Sequence, residues 1–423
     1  DERKLLCASQ ASRCLAAYIF SAAGPGESTT DLAWDGQGSI YEMGELLCES
    51  SRFELEPELC VADIDVERLR LERMRNATFN DNALAIGHPE KRVRRILFDH
   101  RPRFADIGFE RRLRRFPYVP NRREQLDQDC YEAFNIQVQG LARRFQATSG
   151  THLVIGVSGG LDSTHALIVA AKTCDLLGRP RSDILGFTMP GFATGEETKG
   201  NAWKLMDALG IVGEEIDIKP AARQMLGDMG HPFARGEAVY DVTFENVQAG
   251  LRTDYLFRLA NQRGGFVVGT GDLSEIALGW STYGVGDQMS HYGVNAGVPK
   301  TLIQHLIRWA IRSGQFDEAT NRVLQAILDT KISPELIPAD GESGMQSTED
   351  RIGPYELHDF FLWHILRHGQ PPSKVAFLAH EAWKDAKAGA WPLDYPEALK
   401  RQYDLPTIRK WLVVFCFRFF SLC

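Results

Sequence analysis

The sequence predicts an α/β protein: a parallel-sheet, Rossmann-like domain over residues 124–423, preceded by a smaller and incomplete α+β piece. From residue 124 onward, short apolar runs alternate with helical segments, a pattern typical of βαβ units in a parallel sheet. The apolar runs that predict strands are HLVIGV, DILGFTMP, EEIDI and GFVVGTGD. Because ligands bind at the carboxyl ends of such strands, the loops after HLVIGV and within GFVVGTGD are candidate site segments.

The first 75 residues show a different pattern. Apolar spacing predicts a helix over residues 3–22, and the turns at Asp35-Gly36 and Met43-Gly44 predict short strands in hairpins. CVADIDVE predicts one more strand, and RLRLERMR the start of a helix. We therefore expect α+β structure over residues 1–75, without a reactive loop of its own.

Residues 76–123 are rich in arginine and interrupted by prolines. We interpret them as a linker whose arginines pair with the acidic remainder of the chain. A basic patch for RNA or polyphosphate is the alternative. The predicted division is thus 1–75, 76–123 and 124–423.

Composition excludes several classes of protein. The 423 residues carry a net charge of −8, which argues against a nucleic acid or an anionic membrane as the main partner. WLVVFCFRFFSLC at the C-terminus is shorter than the roughly 20 residues that span a bilayer, so it predicts a buried helix. The eight cysteines form no C-x-x-C pair, which favours reduced thiols and a cytoplasmic protein.

The loop GVSGGLDS, residues 156–163, is the strongest functional signal. Glycines let backbone N–H groups approach an anion, and the helix that follows adds partial positive charge. The loop lacks the lysine of a Walker A motif, and it is not a G-x-G-x-x-G fingerprint. Asp162 inside an anion-binding loop predicts a bridging Mg²⁺. A tight turn with incidental glycines is the structural alternative.

S-G-G-x-D-S in this setting resembles the pyrophosphate loop of the N-type ATP pyrophosphatases. The resemblance implies that ATP is cleaved between its α- and β-phosphates, which explains the missing lysine. It also implies an ATP site formed by Gly156, Val157, Ser158, Gly159, Gly160, Leu161, Asp162 and Ser163.

Three further segments resemble the NAD synthetases within that superfamily: FENVQAGLRTDYLF, GTGDLSEIALGWSTYGVGDQMSHYGVNAGVPKT and ISPELIPADGESGMQSTEDRIGPYELHDFF. STTDLAWDGQGSIYEMGELLCESSRF and VADIDVERLRLER are similar to the end of the nitrilase-like glutaminase domain of the large bacterial glutamine-dependent enzymes. The family's Glu–Lys–Cys triad has no counterpart in this sequence. We therefore expect a chain truncated at both ends, without glutaminase activity.

The resemblance assigns roles to individual residues. Thr270 and Lys300 join the ATP site, Asp162 and Glu275 hold Mg²⁺, and Asp162 and Lys300 are the predicted catalytic residues. A carboxylate at a helix N-terminus is the alternative for Glu275, and a solvated surface lysine is the alternative for Lys300. The residues implied to bind deamido-NAD are Asn246, Glu275, Trp280, Ser281, Thr282, Tyr283 and Asp287. Core packing is the alternative for residues 280–283, and the role of Arg252 stays open.

The implied reaction is the amidation step of NAD biosynthesis, carried out by a ligase. The nicotinate carboxylate of deamido-NAD attacks the α-phosphorus of ATP, pyrophosphate leaves, and ammonia converts the acyl-adenylate to NAD and AMP. In the intact enzyme, an amidotransferase, the ammonia comes from glutamine, and the family implies a homo-oligomer. A GMP synthetase, a non-catalytic adenine-nucleotide binder and an inactive truncated product are the alternatives.

Overall fold

A computed structural model describes residues 2–24, 27, 34–87, 89–101, 107–280, 289–330, 349, 352–393 and 395–422. Residue contacts divide the chain into two compact units. The first comprises residues 1–113 and 364–374, and the second comprises residues 114–363 and 375–423.

The first unit contains an antiparallel sheet in the order β1-β2-β3. Its elements before residue 114 are α1 Glu2–Arg13, β1 Ala17–Ser21, β2 Gly38–Glu42, β3 Glu45–Glu49, α2 Val66–Arg75 and α3 Ala77–Ile86. Helix α1 packs on the sheet through Cys7 and Ala11, which meet Tyr41 of β2 in a small buried cluster.

Two predictions for this unit are wrong. The helix predicted over residues 3–22 ends at Arg13, because AYIFS, with its β-prone side chains, forms β1 and pairs with β2 from Ala17↔Glu42 to Ser21↔Gly38. CVADIDVE forms no strand. Its Asp65 is instead the N-cap of α2, accepting a hydrogen bond from the Arg68 backbone N–H.

The segment predicted as a linker contains ordered structure. Asn76 caps α3 by accepting a hydrogen bond from the Thr78 backbone N–H. Further along, Arg111 forms a two-pronged ion pair with Glu42, with both N···O distances at 2.8 Å. The Glu42 side chain is 1% exposed, so this is a buried, geometrically specific pair.

The second unit confirms the predicted α/β class. Five parallel strands lie in the order β6-β5-β4-β7-β8. The strands are β4 His152–Gly156, β5 Ile184–Thr188, β6 Val212–Glu215, β7 Gly265–Gly269 and β8 Tyr292–Gly293. Strand β6 begins earlier than the EEIDI prediction, and the two-residue β8 has no apolar run of its own to predict it.

Helices from the stretches between the strands, among them residues 161–177, 196–209 and 242–263, pack on this sheet. The α-helices described after residue 113 are α4 Arg123–Ala147, α5 Leu161–Leu177, α6 Glu196–Leu209, α7 Lys219–Asp228, α8 Val242–Arg263, α9 Leu273–Ala277, α10 Lys300–Arg312, α11 Glu318–Asp329, α12 Tyr355–Leu362, α13 Pro372–Trp383 and α14 Leu405–Phe417. Leu153, Val154 and Ile155 of β4 are fully buried, as expected for a central parallel strand. The predicted C-terminal segment begins within α14, which buries Trp411, Leu412 and Phe415. Val413 and Phe417 are exposed, so the segment is helical but buried on one face only.

The strand order creates a crevice. The chain runs from β4 outward through β5 to β6 and then returns to β7 on the other side of β4. Connections therefore leave β4 and β7 in opposite directions, and the carboxyl ends of these two strands border the place where ligands bind in open α/β sheets. In the described part of the chain, no helix is long and apolar enough to cross a membrane.

Candidate active site

The loop between β4 and α5 requires glycine. Gly159 has φ +86°, and a Cβ atom there would lie 2.2 Å from the backbone oxygen of Thr198. Both the left-handed backbone and the close approach exclude a side chain. The loop therefore packs closely against the first turn of α6 before the chain enters α5.

Hydroxyl groups shape the same loop. Ser163 Oγ donates to the carbonyl of Gly160 at 3.2 Å and lies 3.1 Å from Ser158 Oγ. Gly160 is the N-cap of α5, and within this described stretch no side chain caps the helix. The N–H groups of its first turn thus remain available to an anion at the helix N-terminus.

Three carboxylates converge beside this loop. Asp162 lies in the first turn of α5, Asp272 is the N-cap of α9, and Glu275 is three residues further along. One oxygen from each lies within 4.8 Å of the others. Asp272 and Glu275 also form a capping box, in which each side chain accepts a hydrogen bond from the other's backbone N–H. Glu275 is therefore both a helix-capping residue and a member of the cluster.

Lys300, the first residue of α10, lies among these carboxylates. Its Nζ is 2.7 Å from Asp162 Oδ2, 2.7 Å from Asp272 Oδ2 and 2.8 Å from Glu275 Oε1. The Lys300 side chain is 15% exposed, so it is not a solvated surface lysine. The contact to Asp272 Oδ2 is an ion pair without hydrogen-bond geometry.

The charges of the cluster depend on one another. Burial disfavours the Lys300 ammonium, but Asp162, Asp272 and Glu275 outweigh burial and raise its pKa well above the usual value. Burial raises the pKa of Asp272 well above its usual value, and Lys300 only partly opposes this. Lys300 is therefore charged at neutral pH.

The cluster also has oxygen atoms suited to a second cation. Asp162 Oδ1 is buried and has no hydrogen-bond partner among the described residues. Carboxylate oxygens are the ligands that Mg²⁺ prefers. The donor set of Asp162, Asp272 and Glu275 thus suits a hard divalent ion, provided that the Lys300 ammonium shifts or shares the site.

A buried amide joins the two loops that carry the cluster. Asn295, fully buried after β8, donates from Nδ2 to the carbonyls of Asp162 (2.9 Å) and Thr270 (3.0 Å). Gln137 donates to Asn295 Oδ1 at 3.2 Å and lies 2.9 Å from His165 Nε2 through its own Oε1. This chain of side chains connects α4, α5 and the loop after β7.

A cleft opens at the carboxyl ends of β4, β5 and β7. Its lining residues are Gly156, Val157, Ser158, Phe187, Thr188, Met189, Thr194, Arg252, Thr253, Leu256, Val267, Val268, Gly269, Thr270 and Met289. Arg252 contributes to its wall and donates from Nε to the Met189 carbonyl at 3.0 Å. The lining is mixed apolar and polar, as in small-molecule sites.

The described residues among those predicted for the second substrate, apart from Glu275, are not members of the carboxylate cluster. Trp280 follows α9, and the guanidinium of Arg418 lies 5.1 Å from the centroid of its ring. Arg418 also donates to the carbonyls of Leu278 and Gly279. Asn246 is half-buried in the second turn of α8, away in sequence from the elements of the cluster.

The remaining predicted residues, Ser281, Thr282, Tyr283 and Asp287, lie outside the described residues, as does most of the ISPELIPADGESGMQSTEDRIG segment. Among the described residues, the structure brings Asp162, Glu275 and Lys300 together, with Ser158 and Thr270 at the adjoining cleft.

Sequence reasoning missed Asp272 and Asn295. The pattern D-x-x-E at Asp272–Glu275 is a capping-box arrangement that would have placed both carboxylates at one helix start. Asn295 carries no local signal, because its partners are backbone carbonyls 25 and 133 residues away.

Comparisons with known proteins agree with this geometry. The family model for NAD synthase matches residues 133–380, more than half of the chain. Glutamine-dependent NAD(+) synthetases from Mycobacterium leprae and Mycobacterium tuberculosis are 60% identical to the chain over 421 residues. These alignments cover 100% of this chain and 62% of each relative, so the chain spans less than two thirds of their length.

A solved structure has the same fold. It is the glutamine-dependent NAD(+) synthetase from Cytophaga hutchinsonii, which is 15% identical to this chain and superposes with a TM-score of 0.50. The superposition covers 99% of this chain and 60% of the other.

Proposed function

The chain belongs to the NAD synthase family, and we propose that it catalyses the ATP-dependent amidation of deamido-NAD to NAD. The observation that carries the proposal is the convergence of Asp162, Glu275 and Lys300 beside an open helix N-terminus. These residues come from three separate elements, and the family resemblance assigns the same three to ATP and its metal. Asp272 joins them as a third carboxylate.

The phosphates of ATP bind at the glycine loop in this proposal. The N–H groups at the start of α5, with the hydroxyls of Ser158 and Ser163, hold the β- and γ-phosphates, which leave as pyrophosphate. Adenosine occupies the cleft at the ends of β4, β5 and β7, which Thr270 and Arg252 help to line. This orientation exposes the α-phosphorus to an attacking carboxylate.

Mg²⁺ is the metal we propose, held by Asp162 and Glu275, with Asp272 as a further oxygen donor. When bound, the ion neutralises charge on the departing pyrophosphate. Lys300 supplies a second positive charge to the phosphates from outside the glycine loop. Without cations, the three carboxylates would repel ATP, so both charges serve binding as well as chemistry.

Deamido-NAD is the proposed second substrate, and its residues are Asn246, Glu275, Trp280, Ser281, Thr282, Tyr283 and Asp287. Trp280 offers an aromatic face for the pyridine ring, and Arg418 holds that side chain in place. The nicotinate carboxylate attacks the α-phosphorus and displaces pyrophosphate. Ammonia then attacks the acyl-adenylate, releasing NAD and AMP.

The domain assignment and the setting of the enzyme are also proposals. Residues 1–75 correspond to the end of a glutaminase domain, 76–123 to a linker and 124–423 to the synthetase domain. The relatives are named glutamine-dependent, and we propose that glutamine supplies the ammonia in the whole enzyme. We further propose a cytoplasmic homo-oligomer that needs neither nucleic acid nor a membrane.

The test is to incubate the chain with deamido-NAD, Mg-ATP and ammonium chloride, and to measure NAD, AMP and pyrophosphate together. We expect the three products in equal amounts, and loss of all three in Asp162→Ala. A parallel reaction with glutamine measures whether the chain itself releases ammonia.

Three other results would contradict the proposal. Nucleotide binding without pyrophosphate release, with both co-substrates present, would indicate a non-catalytic binder or an inactive truncated product. Amidation of xanthosine monophosphate instead of deamido-NAD would indicate a GMP synthetase. Turnover that survives Asp162→Ala would contradict the metal assignment.

A further inference from the structure

We propose that Asp359 is a positioning residue that fixes Lys300 and Glu275 relative to each other for the reaction proposed above. Asp359 belongs to α12, which contributes no carboxylate to the cluster, and its side chain is almost completely buried at 1% exposure. No motif or resemblance in the sequence assigns it a role. It acts through α9 and α10, the two helices that carry Asp272, Glu275 and Lys300.

Asp359 contacts both of these helices at their first turns. One carboxylate oxygen, Oδ2, accepts from the Thr301 backbone N–H at 3.0 Å and from Thr301 Oγ1 at 2.6 Å. The other, Oδ1, accepts a hydrogen bond from Ser274 Oγ. Thr301 follows Lys300 on α10, and Ser274 precedes Glu275 on α9, so each contact is one residue away from the cluster.

Ser274 contacts both Lys300 and Asp359. Its Oγ accepts a hydrogen bond from the Lys300 backbone N–H at 2.9 Å while its own proton points to Asp359. Ser274 and Thr301 are themselves buried, at 1% and 6% exposure. The two helix starts are thus joined by a direct bond and by a carboxylate that bridges them.

The direction of these bonds requires a carboxylate. Asp359 accepts from three donors, and an asparagine there would present an N–H₂ group to one of them. If the N–H₂ group faced Ser274, Ser274 Oγ would accept hydrogen bonds from both the Lys300 backbone N–H and the asparagine. The Ser274 hydroxyl proton would then have lost its acceptor. Asp359→Asn keeps the shape and volume of the side chain but breaks this pattern.

Small displacements of the helix starts matter because the cluster contacts are short. Lys300 Nζ lies 2.7–2.8 Å from three carboxylate oxygens on two elements. A shift of α10 relative to α9 would lengthen some of these contacts and change the charge presented to a metal and to phosphate. Residues that orient metal ligands in this way alter metal affinity or activity by about tenfold to a hundredfold when changed.

Glu356 offers a matched control on the same helix. It is also a buried carboxylate, at 9% exposure, and accepts a hydrogen bond from the Tyr403 hydroxyl at 2.7 Å. Its described contacts lead to Tyr403 and Arg401 rather than to α9 or α10. Glu356→Gln therefore perturbs α12 without perturbing the bridge.

The experiment compares wild type, Asp359→Asn, Glu356→Gln and Ser274→Ala. For each protein we would measure the Kd of Mn²⁺ in the presence of α,β-methylene-ATP by electron paramagnetic resonance. Steady-state kcat and the KM values for ATP and deamido-NAD, together with Tm, complete the set. We expect Asp359→Asn to weaken Mn²⁺ binding and to lower kcat by about tenfold or more. Glu356→Gln should keep the wild-type Kd and kcat even if its Tm falls.

The bridge would be refuted if Asp359→Asn lowered Tm but kept the Mn²⁺ Kd and kcat of wild type. If Asp359→Asn fails to fold, Ser274→Ala replaces it in the test, because it removes the hydrogen bond from Ser274 to Asp359. The same two results, an unchanged Mn²⁺ Kd and an unchanged kcat, would then refute the bridge. The Mn²⁺ titration separates this inference from the proposed function: a wild type that bound Mn²⁺ but formed no NAD would contradict the function and leave the bridge to be judged on Kd.

Discussion

The Lys300 ammonium lies within 2.8 Å of one oxygen from each of the three carboxylates. Its positive charge offsets the repulsion among Asp162, Asp272 and Glu275. In the proposed complex, Mg²⁺ would take over part of this neutralisation. Lys300 would then act on the phosphates of ATP, as proposed above.

Replacing Lys300 with methionine should destabilise the metal-free protein. The substitution removes the ammonium that pairs with Asp272, which is fully buried beside two other carboxylates. Breaking one side of a buried charge cluster costs about 3–5 kcal/mol of unfolding free energy, less whatever protonation of a carboxyl group recovers. Urea unfolding at neutral pH, with and without Mn²⁺, measures the effect.

Mn²⁺ should restore much of the lost stability in Lys300→Met, because the ion replaces the missing positive charge and binds only the folded chain. Lys172→Met is a suitable control, since Lys172 pairs with Asp175 at 3.6 Å in a more exposed setting. A Lys300→Met protein as stable as wild type, or one indifferent to Mn²⁺, would contradict this description of the cluster.

At the residue scale, the sequence predicted those side chains whose role follows from a motif. Asp162 lies in the glycine loop, and Glu275 and Lys300 lie in segments that resemble a known family. Asp272 was missed because a carboxylate before a short helix has an ordinary structural role as a cap, which it also fulfils here. Asn295 and Asp359 act through long-range contacts that no local pattern encodes.

At the scale of elements, α5 links the candidate site to the core. Its first turn carries Asp162, and one turn later His165 is fully buried against Gln137 and Phe134. Through Gln137 and Asn295 the helix is connected to the carbonyl of Thr270 on the other loop. Changes at His165 should therefore reach both stability and the site.

Stability should fall in acid because of His165. Burial lowers the pKa of this imidazole to about 4, and the nearby Asp162 only partly opposes the shift. Between pH 6.5 and 4 the unfolded chain binds a proton that the folded chain does not, so the unfolding free energy falls as pH falls, by about 1.4 kcal/mol per pH unit at most.

The variant His165→Gln isolates this effect because it has no imidazole to protonate. Urea titrations at several pH values measure the unfolding free energy of both proteins. As the pH falls from 6.5 to 4, the wild type should lose up to about 3 kcal/mol more unfolding free energy than the variant. A difference independent of pH would show that His165 is protonated in the folded protein.

The elements that the sequence predicted best are those whose pattern matches their environment. Buried parallel strands such as β4 and β5 are continuous apolar runs, and they lie where HLVIGV and DILGFTMP predicted them. The segment AYIFS was wrongly joined to α1 because its pairing with β2 is a tertiary contact across 25 residues between Ala17 and Glu42. CVADIDVE has strand-like composition, yet its aspartates serve as a cap and as hydrogen-bond acceptors.

At the scale of the whole molecule, the chain forms two compact units. It spans 62% of the length of its mycobacterial relatives. The glycine loop of residues 156–163, the acidic cluster and the cleft all belong to the second unit. We therefore expect the proposed ammonium-driven reaction to depend on that unit.

The transfer of oxygen-18 from the carboxylate of deamido-NAD to AMP tests the central proposal most directly. Labelled deamido-NAD would be incubated with the chain, Mg-ATP and ammonium chloride, and the AMP examined by mass spectrometry. Because the carboxylate attacks the α-phosphorus, we predict one labelled oxygen in each AMP formed, with NAD in equal amount. Unlabelled AMP, or ADP and phosphate as the products of ATP, would contradict adenylation at this site.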